Sequence, residues 1–269
     1  MQDDLIIDVG VHRGEDTEFY LEKGFRVVGI EAYPPLYEAA QSRLWRYIDG
    51  GRLTLLNVAV SPTTSPVIFY ANLDVSQFGT TSRDWARRNE RWGTRSIEIT
   101  VPGRRFEEIL GEFGIPYYLK VDIEGADLLC VKALKPYRNK PRFISLESTK
   151  TSWDELLGEF ALLRELGYDR FKVVQQQDVP LQTCPCPARE GRYVPHRFEE
   201  GATGLFGEEA PGEWLDEAEA LKIYRRVFWY YRKFGDGGSM KKCRVGRAFM
   251  RLLGPRVGWY DTHAARQKS

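Results

Sequence analysis

Four carboxylates stand where they could do chemistry: Asp8, Glu31, Asp122 and Glu147, each at or beside the end of a short apolar run. The first run, Leu5-Ile6-Ile7-Asp8-Val9-Gly10, passes into Val11-His12-Arg13-Gly14, and the second, Val27 to Ile30, stops at Glu31. Apolar runs closed by an acid and a glycine-bearing turn are what buried parallel strands leave at their carboxyl ends, where open α/β sheets bind ligands. The turn reads Gly10-x-x-x-Gly14, not G-x-G-x-x-G. A dinucleotide would need the third glycine, and Asp8 would repel its pyrophosphate, so an NAD enzyme is the weakest reading. A carboxylate there suits the sulfonium and amino-acid portion of S-adenosylmethionine, and Glu31 is placed to accept hydrogen bonds from both ribose hydroxyls. Four acids expected on one rim mark a site.

Positioning them requires an alternating α/β chain. The sequence predicts a helix over 15–23 ended by Gly24, a strand to Ile30, a helix over 36–47 and a third strand over 53–60. Residues 67–70 and 97–101 then read as short strands bracketing a Ser/Thr-rich loop, 76–83, and a basic stretch, 84–95, an insertion of the size that carries binding loops. The rhythm resumes with a helix at 106–113, strand 117–122, helix 128–134, strand 142–147, amphipathic helix 153–166 and strand 168–174. From Val179 the chain turns rich in Gly, Pro and Glu, followed by helices over 217–233 and 241–253 and a tail segment, Gly258-Trp259-Tyr260-Asp261-Thr262-His263-Ala264. The expected division is a core over 1–178 and a mainly helical extension over 179–269 that covers an acceptor pocket, with loops 75–95 and 180–211 choosing the acceptor.

A net charge of +1 over 269 residues gives no global pull toward nucleic acid or membranes. No apolar run approaches the ~20 residues of a membrane span, and no signal peptide is visible. Cys130, Cys184, Cys186 and Cys243 fit neither a disulfide framework nor a paired zinc motif, which predicts a reducing, cytoplasmic setting. From Lys222 onward thirteen Lys or Arg face two Asp, with aromatics between them. That pattern predicts an amphipathic helix packed on the core. It also admits nucleic-acid or anionic-membrane contact, or a lid meeting an anionic acceptor.

Three blocks resemble the FkbM family of S-adenosylmethionine-dependent methyltransferases: Asp8-Val9-Gly10-Val11-His12-Arg13-Gly14-Glu15-Asp16-Thr17, Val28-Gly29-Ile30-Glu31-Ala32-Tyr33-Pro34, and Leu119-Lys120-Val121-Asp122-Ile123-Glu124-Gly125-Ala126-Asp127. The last is the most specific, with Asp127 in place of the usual Glu; Asn57-Val58-Ala59-Val60-Ser61 is similar to the family's third-strand segment. The resemblance covers roughly residues 1–175. It implies a class I methyltransferase fold, a mostly parallel seven-stranded sheet with one antiparallel strand, and methyl transfer to a hydroxyl of a sugar, glycoconjugate or natural product. It also implies cofactor contacts: Asp8, Gly10 and Gly14 at the methionine end, Glu31 at the ribose, and Asn57 and Val58 near the adenine. His12, Thr17 and Ala32 fall in the same blocks and are counted with them. Asp122 and Glu124 are implied on the substrate side, Asp122 touching the cofactor as well.

Methyl transfer to a hydroxyl needs in-line alignment, exclusion of water and a base for the proton. The candidates are Asp122, Glu124, His12 and His263, with His196 more readily read as a loop histidine. His263 has Asp261 two residues before it, which would orient an imidazole; His12 would equally serve to bond nearby backbone. Asp122 with Glu147 could hold a divalent cation, but no spacing demands one and no metal is predicted. The alternatives are a nucleic-acid methyltransferase using the basic tail and a non-catalytic S-adenosylmethionine-binding protein.

Overall fold

The computed structural model describes residues 2–235 and 258–267. In chain order the elements begin with β1 (Gln2–Val9), α1 (Glu15–Glu22), β2 (Arg26–Ile30), α2 (Pro34–Asp49) and β3 (Leu53–Leu56). An insertion follows, with β4 (Ala59–Val60), β5 (Val67–Asn72), α3 (Arg83–Arg91), β6 (Ser96–Val101) and β7 (Gly103–Arg104). Then come α4 (Phe106–Phe113), β8 (Pro116–Val121), α5 (Asp127–Ala133), β9 (Phe143–Glu147), α6 (Trp153–Glu165), β10 (Arg170–Gln175), α7 (Glu217–Phe234) and β11 (Tyr260–Ala265).

Seven strands form one sheet in the order β10-β11-β9-β8-β1-β2-β3. All neighbours are parallel except β11, which runs antiparallel to both β9 and β10. This is the expected mixed sheet, but its antiparallel strand comes from the tail segment rather than from the core. The sheet therefore does not divide at residue 178. One face is packed by α4–α7, through Phe106, Val131, Phe160 and Tyr224. The other meets α1, α2 and the irregular segment after β10, where Phe206 stacks on Tyr118 at 4.6 Å. Most of the 180–211 segment thus covers a sheet face.

Three local expectations are corrected. The third strand stops at Leu56 because Asn57 Nδ2 donates to the carbonyls of Glu31 (2.9 Å) and Ala32 (3.3 Å), a side chain competing with the ladder. The helix at α2 begins earlier, on Pro34, since proline is preorganised for a first turn and has no N–H to leave unpaired. The basic stretch 84–95 is mainly helix, α3, whose N-cap Ser82 accepts from Trp85 N. The predicted helix 241–253 and much of the basic tail lie outside the described residues; α7 buries Ala220, Tyr224 and Val227, as an amphipathic helix packed on the core should. Among the described residues no helix is long and apolar enough to cross a membrane.

Candidate active site

β1 connects onward to β2 on one side and β8 to β9 on the other, so a crevice opens where the strand order reverses. Asp122 N donates to Val9 O at 2.9 Å, locking the two strand ends together. A Cβ on Gly10 would come 1.9 Å from Asp122 O, and its φ of +90° is left-handed, so only glycine closes this turn. Gly14, also at φ +90°, precedes α1, and a Cβ there would press Leu44 at 2.7 Å. It lets α2 pack close and does not itself line the crevice.

Asp8 does not reach the crevice, a correction to the direct contact expected of it. Asp8 and Lys120 are register partners on adjacent strands, so their side chains stand together on one face. Asp8 Oδ1 lies 3.1 Å from Lys120 Nζ, and its Oδ2 accepts from Thr17 Oγ1 at 2.6 Å. Lys120 Nζ in turn donates to Gly10 O at 2.7 Å. Burial lowers the lysine's pKa, but Asp8, Asp122 and Asp16 outweigh it and hold Lys120 charged above its ordinary range. Asp8 and Thr17 therefore lie behind the crevice, linked to it through Lys120 and the Gly10 carbonyl.

The first cleft spans about 930 Å³ of space that runs out into open solvent. Gly10, His12, Glu31, Ala32, Val58 and Asp122 all line it, as do Lys120 and Glu124. Glu31 Oε2 accepts from His12 N and its Oε1 from Tyr33 N, both at 2.8 Å. Burial nevertheless raises its pKa to about 7. His12 takes a left-handed φ of 55°; its Nε2 lies 2.8 Å from Ser76 Oγ and its Nδ1 3.4 Å from Glu15. Leu36, Val60 and Phe69 add apolar wall. One contribution went unread in the sequence. Asp16 accepts from Thr203 N and Gly204 N, with a pKa raised by burial to about 6, and so pins the distal 200–202 segment onto the cleft. No local pattern joins residues so far apart in the chain.

Across the turn from Asp122 to Asp127 lies a second cleft, of about 1010 Å³. Trp85 and Trp92 from the insertion meet Trp259 and Tyr231 from the chain's end there, over a floor that includes Glu147 and Lys150. Glu124 sits in the dividing turn at φ 49°, and His12 is the other described non-glycine residue at positive φ. Such strain persists where surrounding structure over-determines it, as at functional sites. Glu124 is 6 % exposed; its Oε2 accepts no hydrogen bond and lies 3.5 Å from Arg88 Nη2. Burial, then the charge of Asp122, push its pKa up to about 8 against the pull of Arg88.

The histidines other than His12 fall elsewhere. His263 lines neither cleft: it lies within β11, 2 % exposed, between Ser145 and Lys172 in register. Burial and Lys172 bring its pKa down to about 3. A neutral imidazole enclosed in the sheet is not positioned to take a substrate proton, which corrects that expectation. His196 packs between Phe19 and Phe198, with Nδ1 3.1 Å from Glu22. Asn57 is spent on the Glu31 and Ala32 carbonyls just past β2 and does not line the first cleft. Among the described residues no group of three His, Cys, Asp or Glu side chains stands ready to hold a metal.

The family model described as Methyltransferase FkbM domain matches residues 8–170, the span that carries both sides of the crevice. No curated protein matches. Among solved structures, precorrin 8W decarboxylase of Methanobacterium thermoautotrophicum is 16% identical, with 65% of this chain and 69% of that one covered at a TM-score of 0.38. Precorrin-6y C5,15-methyltransferase of Geobacter metallireducens is 14% identical, with the same coverage and a TM-score of 0.38. A SAM dependent methyltransferase of Archaeoglobus fulgidus is 11% identical, covering 97% and 86% at 0.38. Likenesses this distant say nothing about the acceptor. The family match spans well over half of the chain, and on it the chain belongs to the FkbM family of S-adenosylmethionine-dependent methyltransferases.

Proposed function

We propose that this methyltransferase acts on oxygen, methylating a hydroxyl of a sugar, glycoconjugate or natural product that enters through the second cleft. The observation that carries the reading is Glu124: a buried carboxyl lining the first cleft, its Oε2 free of hydrogen bonds and 3.5 Å from Arg88 of the second cleft, with a pKa raised to about 8. Such a group is matched to general-base work near pH 7–8.

The first cleft fits the cofactor. Glu31 offers carboxylate oxygens at the ribose position, Leu36, Val58 and Phe69 offer an apolar flank to a flat base, and the Gly10 turn lets backbone approach closely. S-adenosylmethionine, when bound, supplies an electrophilic methyl group on a sulfonium. Asp122, half-buried at the cleft's inner end, puts negative charge beside that cation. Lys120 fixes the Gly10 carbonyl through its 2.7 Å hydrogen bond. Glu124 Oε2 takes the acceptor's hydroxyl proton, while Arg88 holds the carboxylate in place and stabilises its charged form. Trp85, Trp92 and Trp259 keep water from the acceptor.

Calorimetric titration with S-adenosylhomocysteine and a labelled-methyl assay over a panel of sugars test this reading. Glu31→Ala should lose at least tenfold in affinity. Glu124→Gln should keep the affinity but lose about 100-fold in transfer, the scale of a missing general base. Unchanged affinity in Glu31→Ala, or full transfer by Glu124→Gln, would overturn the respective assignment.

A further inference from the structure

We propose that the second cleft selects an acceptor carrying a protonated amine, an amino sugar in the simplest case, with Glu147 as the countercharge. The inference rests on reading that cleft as the acceptor's.

The walls favour a sugar ring that bears a cation. Trp85, Trp92 and Trp259 are half-buried, so each keeps part of its indole open to the cleft. Aromatic faces take up the C–H side of a ring and attract positive charge. Among the described residues the lining also carries four carboxyls, Asp127, Glu147, Glu155 and Glu159, against two cations, Arg88 and Lys150.

Both cations are engaged within the chain. Arg88 lies 3.8 Å from the Trp85 ring centre and 4.7 Å from that of Trp92, with Glu124 at 3.5 Å. Lys150 Nζ donates to Gly258 O at 3.1 Å and sits 3.5 Å over the Trp259 ring. Three of the acids are accounted for as well. Asp127 accepts from Ile123 N and Gly125 N, Glu159 accepts from Ser148 Oγ, and Glu155 lies exposed at the rim.

Glu147 is different. It ends β9 half-buried at the cleft floor, with no hydrogen bond or ion pair to a described side chain. Its register partner Asp261 is 2 % exposed and has an oxygen, Oδ2, with no hydrogen-bond partner. Burial first, then Glu124, Asp122, Asp261 and Asp127, push the Glu147 pKa far above the carboxylate range. A ligand cation offsets those charges and draws that pKa back down, so that Glu147 ionises opposite it, whereas a phosphate or carboxylate adds to the repulsion. The described lining therefore disfavours an anionic acceptor.

Three sugars that differ only at one carbon separate the outcomes: 6-amino-6-deoxyglucose, glucose and glucose 6-phosphate. Each is titrated into the full chain saturated with S-adenosylhomocysteine, following tryptophan fluorescence. The amine should bind at least tenfold tighter than glucose, and the phosphate weakest. Glu147→Gln should erase the preference for the amine while leaving S-adenosylhomocysteine affinity intact, which shows that the variant is folded. Equal binding of amine and glucose, tighter binding of the phosphate, or no saturable response to the amine would each overturn the inference. Failure to bind S-adenosylhomocysteine at all would instead strike the cofactor reading beneath it.

Discussion

Asp8 and Lys120 show how a residue can serve a site without touching it: Lys120 lines the first cleft, and Asp8 stands behind it. Their side chains are 0% and 5% exposed, and the pair joins β1 to β8 at the level where the crevice opens. Removing one partner of a buried ion pair strands the other charge in a low-dielectric interior, a loss of about 3–5 kcal/mol. Asp8→Asn should therefore cost about 3 kcal/mol in urea unfolding, while Asp8→Asn with Lys120→Met should cost less than Asp8→Asn alone. A double variant no more stable than the single would remove the pair from this account. Both residues fall in the blocks that resemble the family. Their type and position were legible in sequence, but their direction was not, because a strand end does not declare which neighbour its side chain will meet.

β11 is the element that sequence reading missed. Tyr260-Asp261-Thr262-His263-Ala264-Ala265 lacks the apolar alternation of a half-buried strand, yet all six residues are buried between two neighbours. Its polar groups are absorbed by partners distant in the chain. Thr262 Oγ1 lies 2.5 Å from Ser148 Oγ and 2.6 Å from Tyr224 OH, tying the strand to α7. Thr262→Val keeps the shape but leaves those hydroxyls short of a partner, and should destabilise by about 1–3 kcal/mol. Thermal unfolding of that variant, with Thr262→Ser as the restoring control, checks it. Trp259 immediately precedes the strand, so seating β11 also sets one wall of the second cleft.

At the scale of the whole molecule, buried acids dominate the response to pH. Glu31 is raised to about 7, and Glu124 and Glu159 to about 8. In each case burial is the leading cause. An acid whose folded pKa exceeds its unfolded value stabilises the fold below the unfolded pKa, and that contribution is lost as pH rises through the folded one. His263 works in the opposite direction. Held neutral with a pKa of about 3, it contributes stability above pH 6.5 that is lost as pH falls toward 3. Between pH 6.5 and 8.5 the carboxyls act alone, so the melting temperature should fall across that window. Glu159→Gln, which removes one of these ionisations, should flatten the decline. A melting temperature that is constant or rising over the window in the parent chain would contradict these buried acids.

The α/β rhythm, the Gly10 turn, the acid at the end of β2 and the Asp122 block are all readable in the chain, because each is dictated by neighbours a few residues away. Strand ends, glycine turns and helix stops are local consequences of backbone sterics and apolar periodicity. What lies across long sequence separations was decided only by the tertiary structure. Register turned Asp8 onto Lys120, the sheet enclosed His263, and Asp16 captured the backbone of Thr203. The second cleft likewise draws its aromatic walls from the insertion, from α7 and from the segment just before β11. Such contacts depend on which faces meet when the sheet closes, and no local spacing encodes that meeting.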